Sequence, residues 1–405
     1  MDPSPQKNGT LLITKLKRNG QEQIVSAFYE DAKAVELSCT TFRKGPLLGN
    51  IYVGKVKNIV PSIEAAFVEI EEGILGYYSL KDNKDPIFTG RKKEGKLSPG
   101  DELFVQVSRE AVKTKAPTLT CGLSFPGKYL VLTTGKKELG LSSKLSSEEK
   151  IRLKALAKPF LTNDYGIIVR TNAAGVSGEE LQGELERLSR ACREVLTFGA
   201  HYAPFSLVYR ELPSYAAGIR SLPKDRLSRI ITDDPKLYSS LEEYLSSKQP
   251  EDLDKLVLYQ EERPSLDRVY GITRALEGAL KARVWLKSGA YLVIEPTEAL
   301  TVIDVNTGKY DGHKKPADTF RKINLEAARE IARQLRLRNL SGIILADFID
   351  MEDPKDREEL MEVLAQALKE DPVKTVLVDM TPLGLVEITR KKVRKSLREQ
   401  AEESA

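Results

Sequence analysis

The chain has only two histidines, His201 and His313, and three cysteines, Cys39, Cys121 and Cys192. So few imidazoles exclude a histidine-rich zinc site and argue against a serine–histidine nucleophile. The cysteines are far apart and match no metal-ligand spacing, which fits a reduced, cytoplasmic setting with no zinc site. No apolar run approaches the roughly 18 residues of a membrane span. The opening stretch, MDPSPQKNGT, lacks the apolar core of a signal peptide. Charge of one sign is not in excess either, with 63 Lys+Arg against 59 Asp+Glu. A net charge of +4 is mild, so affinity for a polyanion must come from local patches. Internal repeats and low-complexity tracts are also lacking. These absences direct any hydrolytic chemistry to carboxylates and a metal.

What is present is a soluble globular composition, 41% hydrophobic and 30% charged over 405 residues, enough for roughly two to four domains. The most informative stretch is 300–351, which twice carries an apolar segment into an aspartate. LTVIDVNTG leads to Asp304 and Asn306, and SGIILADFIDM leads to Asp347. Between them FRKINLEAAREIARQLRLRN reads as a helix, so the pattern is strand, helix, strand, as in a parallel crossover. Ligands of such units sit beyond the carboxyl ends of the strands. Two carboxylates held together there repel and need a cation or a proton between them. Asn306, two residues on, shares the side of Asp304 and adds a neutral oxygen. Oxygen ligands suit Mg²⁺ or Mn²⁺. The alternative is that each aspartate is only a turn former or helix cap.

Along the chain, LLITKL and QIVSAFYE alternate as strands. GNIYVGKVKNIVPSIEAAFVEIEEGILGYYSL, ELFVQVSRE and TLTCGLSF then predict a small closed barrel of OB type, around a Lys-rich loop near 81–98. KYLVLTT, a Ser-rich turn, the helix EEKIRLKALAKPF, the strand YGIIVRTNA and the long helix GEELQGELERLSRACREVL follow as an α/β segment. VWLKSGAYLVIEP predicts a hairpin before the aspartate unit. VKTVLVDMTPLGLVEITRKKVRKSL predicts a strand, a turn and a basic terminal helix.

Several side chains suit an RNA partner, each with a structural alternative. Phe67 and Tyr77 on a barrel face would stack on unpaired bases, or Phe67 is core. Lys115 would meet a phosphate, or is solvated. Arg170 and Thr171 close the strand GIIVRT before a Gly/Ala/Ser-rich loop, and a guanidinium fork with a hydroxyl suits a phosphate dianion. Alternatively Arg170 pairs with Glu179 or Glu180. Lys322, Arg329, Arg333 and Arg336 form a helical stripe, which follows a phosphate backbone or is a solvated face paired to Glu326 and Glu330. Phe320, Ile323, Ala327, Ile331 and Leu335 form the opposite, apolar face.

Taken together, GNIYVGKVKNIVPSIEAAFVEI, YGIIVRT, TEALTVIDVNTG, NLEAAREIARQLRLRNLSGIILADFIDM and GLVEITRKK resemble the ribonuclease E/G family, closest to its shorter, ribonuclease G type, over nearly the whole chain. The resemblance implies a cytoplasmic endoribonuclease that cuts single-stranded, often A/U-rich RNA and favours a 5′-monophosphorylated end, in rRNA or tRNA processing or mRNA decay. It implies Mg²⁺ on Asp304 and Asp347, assisted by Asn306, with Lys374 as a further catalytic position. It implies RNA contacts from Phe67, Tyr77 (a Phe in most members) and Lys115. Gly127, Val131, Arg170 and Thr171 match the 5′-phosphate pocket. The implied α/β multidomain fold has an RNase H-like domain (1–44 and 212–282) interrupted by an S1/OB barrel (45–118) and an α/β 5′-sensor (119–211). A DNase I-like catalytic domain with a basic C-terminal helix (283–405) follows.

Two departures matter. Where longer members carry an arginine in the sensor loop, this chain has Ser143 with Lys144 beside it, supplying charge without a fork. The chain reads REQAEESA where many relatives continue into a two-cysteine zinc link, so a homodimer, if formed, is not expected to be zinc-linked. The expected reaction is in-line attack of metal-activated water on a phosphodiester, leaving a 5′-phosphate and a 3′-hydroxyl. The rivals are a non-catalytic S1-domain RNA-binding protein and a phosphoesterase acting on small nucleotides.

Overall fold

The structure, a computed structural model, describes residues 9–41, 48–89, 92, 94–109, 116–162, 164–261, 263–308 and 316–403. The protein is mixed α/β. It divides into two compact units, one built from the chain before residue 43, residues 222–241 and the chain after residue 253, the other from residues 43–221 and 242–253.

In the first unit, one five-stranded sheet runs in the order Leu256–Leu258, Leu227–Thr232, Gly9–Arg18, Gln21–Glu30, Lys33–Thr41. The last three strands are joined by two-residue turns, Asn19-Gly20 and Asp31-Ala32. All four turn residues lie at positive φ, the geometry that matches strand twist in a tight hairpin. Leu12, Val25, Leu37 and Ile231 pack beneath Leu266, Ile272, Leu276 and Leu397.

The second sheet of this unit has six strands, ordered Arg283–Trp285, Tyr291–Pro296, Leu300–Asn306, Gly342–Asp347, Leu385–Arg390, Thr375–Met380. Its central pair, Leu300–Asn306 and Gly342–Asp347, is parallel, with the helix Pro316–Leu337 between them in the chain, as the periodicity predicts. One face is closed: Leu292, Ile294, Ile303, Ile344, Val386 and Ile388 pack against Ile323, Ala327, Ile331, Leu335, Leu360 and Leu364 of the two helices Pro316–Leu337 and Pro354–Lys369. Each of the Val, Leu and Ile side chains contributes about 1.5–3 kcal/mol by leaving water. The opposite face leaves Trp285, Val302, Ile343, Val376 and Val378 exposed.

Two expectations fail here. The basic run after Arg390 is irregular, and the terminal helix is the seven-residue, acid-rich Leu397–Glu403. The arginine stripe is not a solvated face along its length. Lys322 and Arg329 are exposed, but Arg336 is buried and paired to Glu36 at 3.0 Å. Arg333 keeps the expected Glu330 partner and also donates to the Ala34 carbonyl. The C-terminal half of this helix packs on the strand Lys33–Thr41, which local periodicity cannot foresee.

The second unit holds the barrel. Ile51–Val60, Ala65–Glu71, Ile74–Ser79, Thr118–Thr120 and Glu102–Arg109 pair in that order, and the last closes on the first. This is the expected OB-like closure around Val56, Val68, Tyr78, Leu103, Val105 and Leu119. TLTCGLSF, read as one closing strand, splits. Thr118–Thr120 closes the barrel, and Ser124–Pro126 edges a separate four-stranded sheet with Leu130–Thr133, Gly166–Val169 and Leu139–Leu141. The helices Ser147–Ala157 and Gly178–Phe198 cover that sheet through Leu153, Leu181, Leu185 and Val195.

Candidate active site

Asp304 and Asp347 end the two central strands and lie directly opposite one another in register. Both are exposed, on the uncovered sheet face. Asn306 sits two residues beyond Asp304 on the same face, and its amide Nδ2 donates to Asp304 Oδ2 at 2.6 Å. Partial burial, then the neighbouring Asp304 and Asp350, push the Asp347 carboxyl above the usual carboxylate range. Among the described residues no group of three or more His, Cys, Asp or Glu side chains is gathered to hold a metal ion. Two carboxylates and an amide oxygen form a sparse donor set. That suits a small hard cation that keeps several waters and takes further oxygens from substrate phosphate.

The loop after each aspartate is tied down. Buried Asn324 holds Ile349 from both sides, donating to its carbonyl at 2.7 Å and accepting from its N–H at 3.1 Å. After Asn306, Gly308 has positive φ, and a Cβ there would lie 2.3 Å from the Gly289 carbonyl oxygen. Only glycine lets this turn close on the hairpin.

Lys374 stands apart from this site. It precedes Thr375, which pairs with Arg390, which in turn pairs with Gly342. Asp347 lies at the other end of that row, five residues along the strand, or about 17 Å. The structure therefore does not bring Lys374 to the carboxylates, and the sequence could not show this because the intervening register is non-local.

A second cluster forms at one end of the four-stranded sheet. Arg170 follows Gly166–Val169, and its N–H donates to the Tyr129 carbonyl at 2.8 Å. Its guanidinium is half-buried and donates to the carbonyls of Gly127 at 2.6 Å and Arg220 at 3.3 Å. Neither Glu179 nor Glu180 is its partner; Glu180 instead completes a capping box with Ser177. Burial, then the Arg220 charge, push the Arg170 pKa down to about 10, so it stays cationic at neutral pH. The Thr171 hydroxyl lies 2.8 Å from that of Ser142. Val131 pairs with Ile168 on the face that Arg170 shares. Lys144 is exposed, two residues past Ser142. The structure thus gathers Gly127, Arg170 and Thr171, with Val131 and Lys144 at the margins.

Sequence reading missed what holds this cluster. Glu184, buried on the helix Gly178–Phe198, accepts the backbone N–H groups of Lys128, Tyr129 and Leu130 at 2.6, 2.9 and 2.7 Å. A Cβ on Gly127 would fall 2.5 Å from the Glu184 carboxyl carbon, so a side chain there would push the carboxylate away from the N–H groups it accepts. Burial raises the Glu184 pKa, against the lowering effect of the three N–H donors. Lys128 is wholly buried and paired with Asp252. Arg220, paired with Glu211 at 2.5 Å, adds a second guanidinium beside Arg170. No local pattern marks Glu184 among the helix's other acids.

On the barrel, Phe67 and Tyr77 are cross-strand partners, both half-buried, with ring centroids 6.3 Å apart at 75°. Phe67 is outside the barrel core that its neighbours Ala66 and Val68 enter. Lys115 lies outside the described residues.

The model of the Ribonuclease E/G family matches residues 124–393. The chain is similar to Ribonuclease G of Haemophilus influenzae, with 38% identity over 365 residues, covering 87% of this chain and 74% of that protein. Ribonuclease G of Escherichia coli strain K12 is 36% identical over 366 residues, 88% of this chain and 74% of that protein. Ribonuclease E of Nostoc sp. is 35% identical over 380 residues, 92% of this chain and 55% of that protein. With two-thirds of its length inside the family match and relatives of this identity across most of the rest, the chain belongs to the Ribonuclease E/G family and is an endoribonuclease.

Proposed function

We propose that this endoribonuclease hydrolyses single-stranded, A/U-rich RNA at the Asp304–Asp347 row, with Mg²⁺ or Mn²⁺ as its cation. The observation that carries the reading is the pairing of two exposed carboxylates in register at the ends of two parallel strands. Asp304 and Asp347 would hold the cation, and the Asn306 amide orients Asp304. When bound, such a cation lowers the pKa of water and offsets charge developing on the phosphate. Water activated beside Asp304 and Asp347 would attack the phosphorus in line with the departing 3′-oxygen, which leaves as the 3′-hydroxyl. The products would carry a 5′-phosphate and a 3′-hydroxyl.

Arg170 and Thr171 would take a 5′-monophosphate, with Gly127, Val131 and Lys144 around it. The absence of an ion-pair partner for Arg170 among the described carboxylates supports this reading, because a desolvated guanidinium is offset best by a dianion. Phe67, Tyr77 and Lys115 would grip unpaired bases and backbone. We read the five-part organisation accordingly: RNase H-like (1–44, 212–282), S1 barrel (45–118), 5′-sensor (119–211) and DNase I-like (283–405). The test compares wild type with Asp304→Asn on 5′-monophosphate and 5′-hydroxyl RNA, in Mg²⁺ or EDTA. Cleavage should fall about a thousandfold in the variant and vanish in EDTA. Undiminished cleavage by the variant refutes the site, and failure of the wild type to cleave favours a binding-only protein.

A further inference from the structure

Trp285 is the only tryptophan of the chain, and it is 64% exposed. Its neighbour Val284 turns inward and packs on the core, so the hairpin has buried one side chain and left the largest in water. Trp285 lies opposite Tyr291, Tyr291 lies opposite Asn306, and Val293 lies opposite Asp304. Residues directly opposite share a sheet face. The two rings therefore stand on the face of the carboxylate row, with Trp285 two strand spacings, about 10 Å, from the Asn306 strand. The ring centroids are 5.2 Å apart and tilted at 59°. The Arg283 guanidinium lies over both, 4.5 Å from the Tyr291 centroid and 5.8 Å from that of Trp285. A guanidinium stacked in this way keeps in-plane N–H donors for a phosphate oxygen.

The hairpin is held in place. Glu326 accepts the N–H of Lys287 at 2.7 Å and of Ser288 at 3.3 Å, and Gly308 packs on the Gly289 carbonyl. An exposed aromatic pair with a cation, fixed next to a phosphodiester-cutting site, matches the chemistry of an unpaired nucleotide: a π-face for the base and charge for the phosphate.

We propose that Trp285 and Tyr291 form a stacking platform for an unpaired base of the RNA substrate flanking the bond that is cut, with Arg283 on the adjoining phosphate. The inference rests on the Asp304–Asp347 row being the cleavage site. Because Trp285 is the only tryptophan, its emission reads the platform directly. The probe is a short single-stranded A/U RNA added to the full chain in EDTA, with binding followed in parallel by anisotropy of a labelled RNA. Emission should be quenched along the same saturation curve. Trp285→Ala should raise KM about tenfold, with the loss falling on KM rather than kcat, and Trp285→Phe should recover most of it. Emission unchanged at saturation, or a KM for Trp285→Ala within about twofold of wild type, overturns the platform while leaving the cleavage site standing. Cleavage undiminished in Asp304→Asn removes the site itself, whatever the emission does.

Discussion

Asp304 and Asp347 carry surplus negative charge in the open, on an exposed sheet face. Arg170 carries surplus positive charge under cover, its guanidinium half-buried and lodged against backbone carbonyls. The difference follows from the ligand each would receive. Water can stabilise the carboxylates until a cation arrives, so little scaffold is needed beyond Asn306 and the ties on the following loops. A desolvated guanidinium has no such support and must be held by the chain. Its carbonyl partner at Gly127 is positioned by the turn that Glu184 grips through three N–H groups. A hydrated site is cheap to build, whereas a dry one needs a buried framework.

That contrast can be broken most severely at Glu184. Glu184→Ala leaves three buried N–H groups without their acceptor, at about 1–3 kcal/mol each before relaxation. We expect a loss of roughly 3 kcal/mol or more in urea unfolding. A loss below about 1 kcal/mol would mean that the turn does not need the carboxylate. Glu184→Gln should fall between, since one amide oxygen remains but an NH₂ faces the donors.

Arg170→Lys sharpens the comparison by keeping charge while removing the fork. The preference for 5′-monophosphate over 5′-hydroxyl RNA should drop about tenfold, the worth of one charge-assisted hydrogen bond, with cleavage of the 5′-hydroxyl substrate unchanged. An unaltered preference would remove Arg170 from phosphate recognition.

The smallest effect concerns Glu149, which pairs bidentately with Arg152 at 2.8 Å and accepts the Gly175 N–H, bracing the loop after Thr171. The Arg152 hydrogen bond, then that N–H, hold its carboxyl below the ordinary 4.5. A depressed folded-state pKa contributes stability above about pH 4.5 that is lost as the pH falls through the folded value. Glu149→Gln should therefore cost no more than about 1 kcal/mol at neutral pH and nothing in acid. A pH-independent difference in melting temperature would contradict the linkage.

The aspartate strands, the helix between them, the hairpin and the barrel were legible because each announces itself within a few residues. Alternation marks Leu103, Val105 and Val107, and helical spacing marks Ile323, Ala327, Ile331 and Leu335. The failures share one cause. Arg336 looked solvated because its partner Glu36 is 300 residues away in the chain. TLTCGLSF looked continuous because only sheet partners reveal that it serves two sheets. Lys374 is assigned by resemblance alone, and strand register sets it about 17 Å along the strands from the carboxylates.

By itself, then, the sequence determined the carboxylate pair, the Arg170–Thr171 strand end and the α/β and barrel character. Those depend on side-chain chemistry and on periods of two and 3.6 residues. Only the tertiary structure decided that Asp304 faces Asp347 and that Glu184 supports Gly127. It also decided that Trp285 and Tyr291 share the carboxylate face. Each is a cross-strand or helix-to-turn relation, set by register and packing between segments that carry no local trace of one another.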